Sequence, residues 1–290
     1  MEENNFDIDW LAERYPFDVE ARNKTIEQTA IDYLKTDQPV VIVDIGAGTG
    51  SNCLYFLDKL KQDQSWIFIE KDPKLAPALI HRLEEYATFH KYKWSHTDGV
   101  YQMLTPFKKV TFKVISDTFF KLGQLIDLSR VDLVVANAVF DLLSKVQISS
   151  FLEQLSSNNI ACLFTLNYTG MRFIPEDPFD QAYIDLYNAH MERPQSFGHA
   201  MGKQAAVYVA QVLEETQYTL HKGESIWRIM EDDIKMHYYL LNFMDNALSE
   251  LTYPAELQKS FPKWLKRKKD LIITRRQGLE VNHIDLFACP

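Results

Sequence analysis

Cysteine is scarce. Cys53, Cys162 and Cys289 stand far apart and form no CxxC pair, which argues against a disulfide framework and against a zinc cluster. No stretch approaches the roughly 18 uninterrupted apolar residues that a membrane span needs. The first ten residues, MEENNFDIDW, are acidic where a signal peptide is basic and then apolar. A cytoplasmic protein without a membrane span is therefore expected. Positive charge is also short: the net charge of −9 opposes the phosphate backbone, so no nucleic-acid partner is expected. The one basic run, Lys259 to Arg276, has eight basic residues and one acidic, Asp270. Its apolar positions Leu257, Phe261, Leu265 and Ile272 recur at helical spacing, so it reads as a helix with one packed and one solvated face. Internal repeats, low-complexity tracts and flexible linkers are lacking too.

What remains is an ordinary globular composition, 46% hydrophobic and 24% charged, in 290 residues. That suits one core with sizeable appended elements. Two periods alternate along it. Ile26, Ala30, Tyr33 and Leu34 repeat at helical spacing, and Pro39 to Asp44 is a short β-branched run of the kind buried on both faces of a parallel sheet. Further strands are expected at 66–69, 109–115, 131–135 and 160–166, with helices at 52–60, about 75–83 and 147–155. Strands separated by helices mean right-handed βαβ units and a doubly wound α/β sheet, whose ligands bind at the carboxyl ends of the strands. Beyond Asn167 the rhythm changes. Residues 170–200, with three prolines, read as irregular chain around a short helix. Helices are expected at 204–215, 232–250 and 256–276, a strand at 225–229 and an edge strand at 279–288. The parts are an N-terminal helical cover (1–36), a core (37–169), a covering segment (170–202) and a C-terminal half (203–290) with a helical insertion at 231–277.

One motif stands where the first strand meets a helix: Val43-Asp44-Ile45-Gly46-Ala47-Gly48-Thr49-Gly50. Its glycines let the backbone turn sharply and a ligand approach without meeting a Cβ. The spacing is GxGxG, not the GxGxxG whose third glycine supports a pyrophosphate on a helix N-terminus. Glu70 ends the next strand 20 residues after Gly50, where a carboxylate can accept both ribose hydroxyls.

In these residues the chain resembles the class I S-adenosylmethionine-dependent methyltransferases. VDIGAGTG looks like their first motif and IEKDP is similar to the second. The resemblance implies a Rossmann-like seven-stranded sheet and S-adenosylmethionine as cofactor. It places Asp44, Gly46, Ala47, Gly48, Gly50, Asn52, Glu70 and Lys71 on the cofactor. Asp117 and Thr118 fall near the adenine, with Asp98 as a rival to Asp117, and Asn137 and Ala138 line the methionine side. Ala136 to Phe140, reading ANAVF, departs from the (N/D)PP(Y/F) of enzymes that methylate base nitrogens or glutamine amides. WLAERYPFDVEAR, VFDLLS, LNYTG, YNAH and SFGHAMG are similar to bacterial members of the class.

Methyl transfer needs mainly orientation and exclusion of water, with proton removal where the acceptor carries a proton. The expected acceptor is a small molecule, enclosed by the N-terminal segment and residues 168–202. His190, His199 and Tyr168 are the candidate catalytic residues, His190 first as a general base, each competing with a purely structural role. Arg14, expected on the cofactor, and Arg22 are candidates to clasp its methionine carboxylate from above, in competition with a surface ion pair to Asp18 or Glu13. No metal is expected. A nicotinamide-dependent oxidoreductase and a non-catalytic cofactor-binding module are the competing readings.

Overall fold

The computed structural model describes residues 7–195 and 198–290. Residues 1–6 and Ser196-Phe197, part of the expected cover and of the SFGHAMG segment, lie outside the described residues.

The chain opens with two helices, α1 (Ile8–Ala21) and α2 (Lys24–Tyr33). Asn23 between them accepts from the backbone N–H groups of Thr25 and Ile26, so one side chain satisfies two orphan donors and starts α2. There follow β1 (Val40–Ile45), α3 (Ser51–Phe56), β2 (Gln64–Ile69), α4 (Leu75–Phe89), β3 (Lys93–Thr97), β4 (Val100–Leu104) and β5 (Lys109–Ile115). After the single turn α5 (Leu122–Leu125) come β6 (Leu133–Asn137), α6 (Lys145–Ser156), β7 (Ala161–Ile174) and α7 (Asp180–Met191). The two-residue strands β8 (Pro194–Gln195) and β9 (Gly198–His199) form a small ribbon. The chain ends with α8 (Ala205–Glu215), β10 (Thr219–Ile229), α9 (Ile234–Ser249), α10 (Ala255–Ile273) and β11 (Gly278–Cys289).

One nine-stranded sheet runs β10-β11-β7-β6-β1-β2-β5-β4-β3. From β1 the chain winds outward through β2 and β5, then returns to β6 on the other side and winds out to β7, all in parallel. The sheet is doubly wound, and its direction reverses between β1 and β6, which makes the carboxyl ends of those two strands the ligand crevice. Successive residues of β1 serve opposite faces. Ile42 packs with α2, α3 and α4, whereas Val43 and Ile45 pack with α6 and α8. Burial on both faces is why this strand is continuously apolar.

The structure departs from the sequence expectation in three places. Two strands, β3 and β4, add an antiparallel hairpin outside β5, so the sheet has nine strands and not seven. The turn of that hairpin is Asp98-Gly99 with both φ positive, the conformation a two-residue hairpin turn requires, and Asp98 is exposed outboard of β5. The strand at 160–166 runs on to Ile174 through part of the segment expected to be irregular. The last strand lies inside the sheet, antiparallel to β7 on one side and to β10 on the other, and is not an edge.

Beyond Leu166 the long arms of β7, β10 and β11 leave the parallel core and bury a third cluster against α1, α7, α9 and α10. Leu166 takes a positive φ of 55° at this departure, and the register slips between Ile284 and Leu286. Asp285 pins the bend. It accepts from the Leu166 N–H and the Ser225 hydroxyl, both at 2.7 Å, and from the Asn23 N–H at 2.8 Å. In α10 the basic run is not wholly solvated: Lys268 is buried, its Nζ 2.8 Å from Asp180, which also accepts from Trp264 Nε1 at 2.7 Å. No helix among the described residues is long and apolar enough to cross a membrane.

Candidate functional site

The loop after β1 is bent back onto the end of β2. Gly46 and Gly48 have φ of +58° and +54°, a region that other residues enter only at a cost. The Gly46 N–H donates to the Ile69 carbonyl at 2.9 Å, and the Gly48 N–H donates to Glu70 Oε2 at 2.8 Å. Glu70 Oε1 accepts from the Asp72 N–H at 2.9 Å. Each carboxylate oxygen keeps a further lone pair for another donor. Gly50, at +78°, leads into α3 and brings Asn52 under the loop.

Behind the loop lies a buried polar chain. Asn52 Nδ2 donates to Asp44 Oδ1 at 2.9 Å, and Arg22 Nη2 donates to Asn52 Oδ1 at 2.6 Å. The Arg22 guanidinium stacks 4.3 Å from the Tyr55 ring. Asp44 Oδ2 and two guanidinium nitrogens of Arg22 are buried without a partner. Burial pushes the Asp44 carboxyl up to about 7, against the opposing pull of Asn52 and Arg22.

Helix α1 covers the loop. A Cβ on Gly48 would stand 3.5 Å from Leu11 Cδ1. Arg14 donates from Nε and Nη2 to Asp18, and Asp18 Oδ2 accepts from Asn137 Nδ2 at 3.1 Å, which ties α1 to the end of β6. At the far side Tyr15 faces Arg82, with the guanidinium 4.3 Å from its ring, while Arg82 donates to the Thr49 and Ser51 hydroxyls at 3.0 and 3.2 Å. Between α1 and the loop remains a cleft of about 360 Å³, its open mouth included, lined by Leu11, Arg14, Asp18, Asn52, Asn137 and residues 46–49 and 51.

Parallel pairing brings the remaining expected cofactor residues to the same edge of the sheet. Lys71 follows Glu70 and is exposed. Asp117 and Thr118 follow β5; the Thr118 N–H and Lys121 hold the Asp117 carboxyl below the usual carboxylate range. Ala138, with φ of +53°, ends β6 beside Asn137. Arg14 reaches the cleft but is bound to Asp18, the ion pair weighed against a ligand role.

The three candidate catalytic residues part company. Tyr168 is buried on β7 and its hydroxyl donates to Asn188 at 2.8 Å; burial raises its pKa. His190 faces away from the cleft. It pairs with Glu250, at the end of α9, at 3.2 Å and with Arg193, just after α7, because it lies on the face of α7 opposite Asn188. His199 is exposed on β9, where its ring approaches the Glu192 carbonyl at 3.2 Å. The expectation that both histidines overhang the cleft is therefore corrected.

Sequence reasoning missed Trp10, Leu11 and Arg82. Trp10 packs on Trp227, Tyr239 and Phe243, with centroids 6.1, 5.3 and 4.9 Å away, and so fixes α1 against the long strand arms. Its neighbours in WLAERY are spaced for a helix, but nothing local says which surface that helix covers.

No family model matches the chain, and no curated protein matches it. Among solved structures it is similar to a cyclopropane synthase, MmaA2, from Mycobacterium tuberculosis, at 11% identity and a TM-score of 0.48 over 96% of this chain and 94% of that one. It is also similar to a geranyl diphosphate methyltransferase in complex with SAM, at 8% identity and a TM-score of 0.42 over 91% of this chain and 84% of that one. A third is phosphoethanolamine N-methyltransferase 2 from Haemonchus contortus, at 7% identity and 0.41 over 91% of this chain and 51% of that one.

Proposed function

We propose that the protein is an S-adenosylmethionine-dependent methyltransferase acting on a small-molecule acceptor. The observation that carries this reading is the latch between the Gly48 amide and Glu70 at the crevice where the sheet reverses direction. Glu70 keeps lone pairs for a ribose diol. Gly46 and Gly48 hold the loop in a form that presents backbone and no side chain. Asp44 Oδ2, buried and unpartnered, is a further polar atom behind it. These features fit a nucleoside without a pyrophosphate better than NAD, whose binding loop would present a third glycine at GxGxxG spacing.

When bound, the cofactor supplies an activated methyl group that is displaced in line by a nucleophile. The chain's own contribution is positional. Gly46 to Gly50, Asn52 and Glu70 hold the nucleoside end, with Asp117 and Thr118 beyond Glu70. Asn137 and Ala138 border the reacting end. Helix α1 excludes water through Leu11 and the Arg14–Asp18–Asn137 chain, and exclusion of water with correct orientation is most of what such a transfer requires. The cleft between α1 and the loop is narrow, so α1 must draw back for the cofactor to enter. The net charge of −9 supports a small acceptor over a nucleic acid.

Retention of methyl-labelled S-adenosylmethionine on the protein, with competition by S-adenosylhomocysteine and by NAD, tests the reading. The expected result is displacement by the former and none by the latter. Displacement by NAD alone would favour the oxidoreductase reading.

A further inference from the structure

The end of the sheet away from the crevice carries a patch that the cofactor residues leave unused. β5 runs parallel to β2 and β2 to β1, so Lys109, the first residue of β5, stands at the end opposite the ligand crevice. Lys93 pairs with Leu104 and Leu104 with Lys109, which brings the turn after α4 and the turn between β4 and β5 to that same end. Each turn puts out a phenylalanine: Phe89 is 82% exposed and Phe107 91%. The Phe89 ring lies 5.1 Å from His90, which stacks on Tyr92 at 5.4 Å, and Leu104, also exposed, leads into the second turn. Single apolar side chains are ordinary on a surface, whereas two nearly bare rings on neighbouring turns are a patch that asks for a partner.

The charge of this end selects the partner, because it is opposite in sign to that of the chain. Between Tyr86 and Ser116 stand five lysines, Lys91, Lys93, Lys108, Lys109 and Lys113, and one acid, Asp98, in a chain of net charge −9. Asp98 lies at the far turn of the β3–β4 hairpin. Lys61 adds a further positive charge near Lys108. Lys59 is paired with Glu27, but Lys61, Lys91, Lys93 and Lys109 form no ion pair among the described residues. The acids of this end have partners of their own: Asp58 accepts from the Tyr86 hydroxyl and Asp63 from the Lys109 N–H. Glu84 and Glu85 stand one turn back along α4, Glu85 against His81.

We propose that this end docks on an anionic phospholipid bilayer, with Phe89 and Phe107 in the boundary between headgroups and acyl chains and Lys91, Lys93 and Lys109 against the lipid phosphates. Aromatic rings favour that boundary, and each lysine near an anionic surface strengthens attachment. The backbone suits it as well. The Phe107 and Lys108 N–H groups donate to Thr105 Oγ1 at 3.1 and 3.0 Å, and the Thr105 N–H donates to the Lys108 carbonyl at 3.0 Å. At the other turn the Lys91 N–H donates to the Thr88 carbonyl at 3.1 Å and the Tyr92 N–H to that of Ala87 at 2.8 Å. Turns that satisfy their own donors can approach hydrocarbon without baring polar groups. The length of β5 separates this end from the crevice, so a docked chain keeps its cleft open to water.

The test is sedimentation of the full chain with vesicles of phosphatidylcholine alone and of phosphatidylcholine with a quarter phosphatidylglycerol, at physiological salt. The anionic vesicles should bind about tenfold more tightly or better. Phe89→Ser with Phe107→Ser should weaken that binding about tenfold or more, with the urea midpoint unchanged because both rings are exposed. Lys91→Gln, Lys93→Gln and Lys109→Gln together should do the same, whereas Lys259→Gln, Lys263→Gln and Lys266→Gln on α10 should change it by less than about twofold. Equal binding to both vesicles, no binding to either, binding that survives loss of both phenylalanines, or an equal loss from the α10 variant overturns the proposal. So does a dimer in analytical ultracentrifugation that Phe89→Ser with Phe107→Ser dissolves, since the patch would then be covered by a second copy. S-adenosylhomocysteine affinity, read separately by calorimetry, should stay within about twofold in every variant, so failure to bind vesicles leaves the methyltransferase reading standing.

Discussion

The Gly48 amide and the Glu70 carboxylate stand 2.8 Å apart, so the turn after β1 is latched to the end of β2. That bond ties the glycine loop to the neighbouring strand, and it aligns a carboxylate beside the backbone that a nucleoside would approach. Glu70→Ala removes both the latch and the acceptor. A loss of about 1.5–3 kcal/mol is expected, or roughly ten- to a hundredfold in S-adenosylmethionine affinity. Retention of the labelled cofactor checks it, and unchanged affinity would mean that the ribose site lies elsewhere.

Asp44 gives a pH signature. Its carboxyl is near 7 when folded against 3.8 in the free group, so the folded state holds the proton more tightly. Stability should then fall as pH rises from about 4 to 7 and level off above 7, by an amount on the order of 4 kcal/mol. Asp44→Asn keeps the acceptor for Asn52 and removes the buried charge. Urea denaturation should find this variant more stable than wild type at pH 8, with the gap closing by pH 4. A gap that widens as pH falls would show that Asp44 is ionised in the fold.

Asp285 binds three donors on three different elements. Asp285→Ala leaves the Leu166 and Asn23 amides and the Ser225 hydroxyl without their acceptor, and a cost of about 3–5 kcal/mol is expected. The urea midpoint measures it. A cost under about 1 kcal/mol would mean that the bend at Leu166 is held by packing alone.

Much of this was legible in the sequence because β1, β6 and the core of β7 are short apolar runs buried on both faces, which need no alternation, while β5 alternates about Val110 and Phe112, and the glycine loop punctuates the first of them. The hairpin at 93–104 was legible in principle, because Asp98-Gly99 between alternating segments is a two-residue turn signal. It competed there with a reading of Asp98 as a ligand. What local sequence does not carry is long-range partnership. His190 sits on a short helix as expected, yet its partner is Glu250, sixty residues on, which turns it from the cleft. Lys268 belongs to a basic run in sequence but to Asp180 in space.

His190→Ala accordingly should leave S-adenosylhomocysteine affinity within about twofold and stability within about 1 kcal/mol, as for other surface ion pairs. Thermal denaturation and displacement of the labelled cofactor are the checks. A large loss of affinity would place His190 back at the site.

The central claim is that the crevice between β1 and β6 takes a methionine nucleoside. Calorimetric titration with S-adenosylhomocysteine, and separately with NAD, measures it most directly. The account predicts saturable binding of one S-adenosylhomocysteine per chain and no heat beyond dilution from NAD; saturable NAD binding without binding of the methionine nucleoside would contradict it.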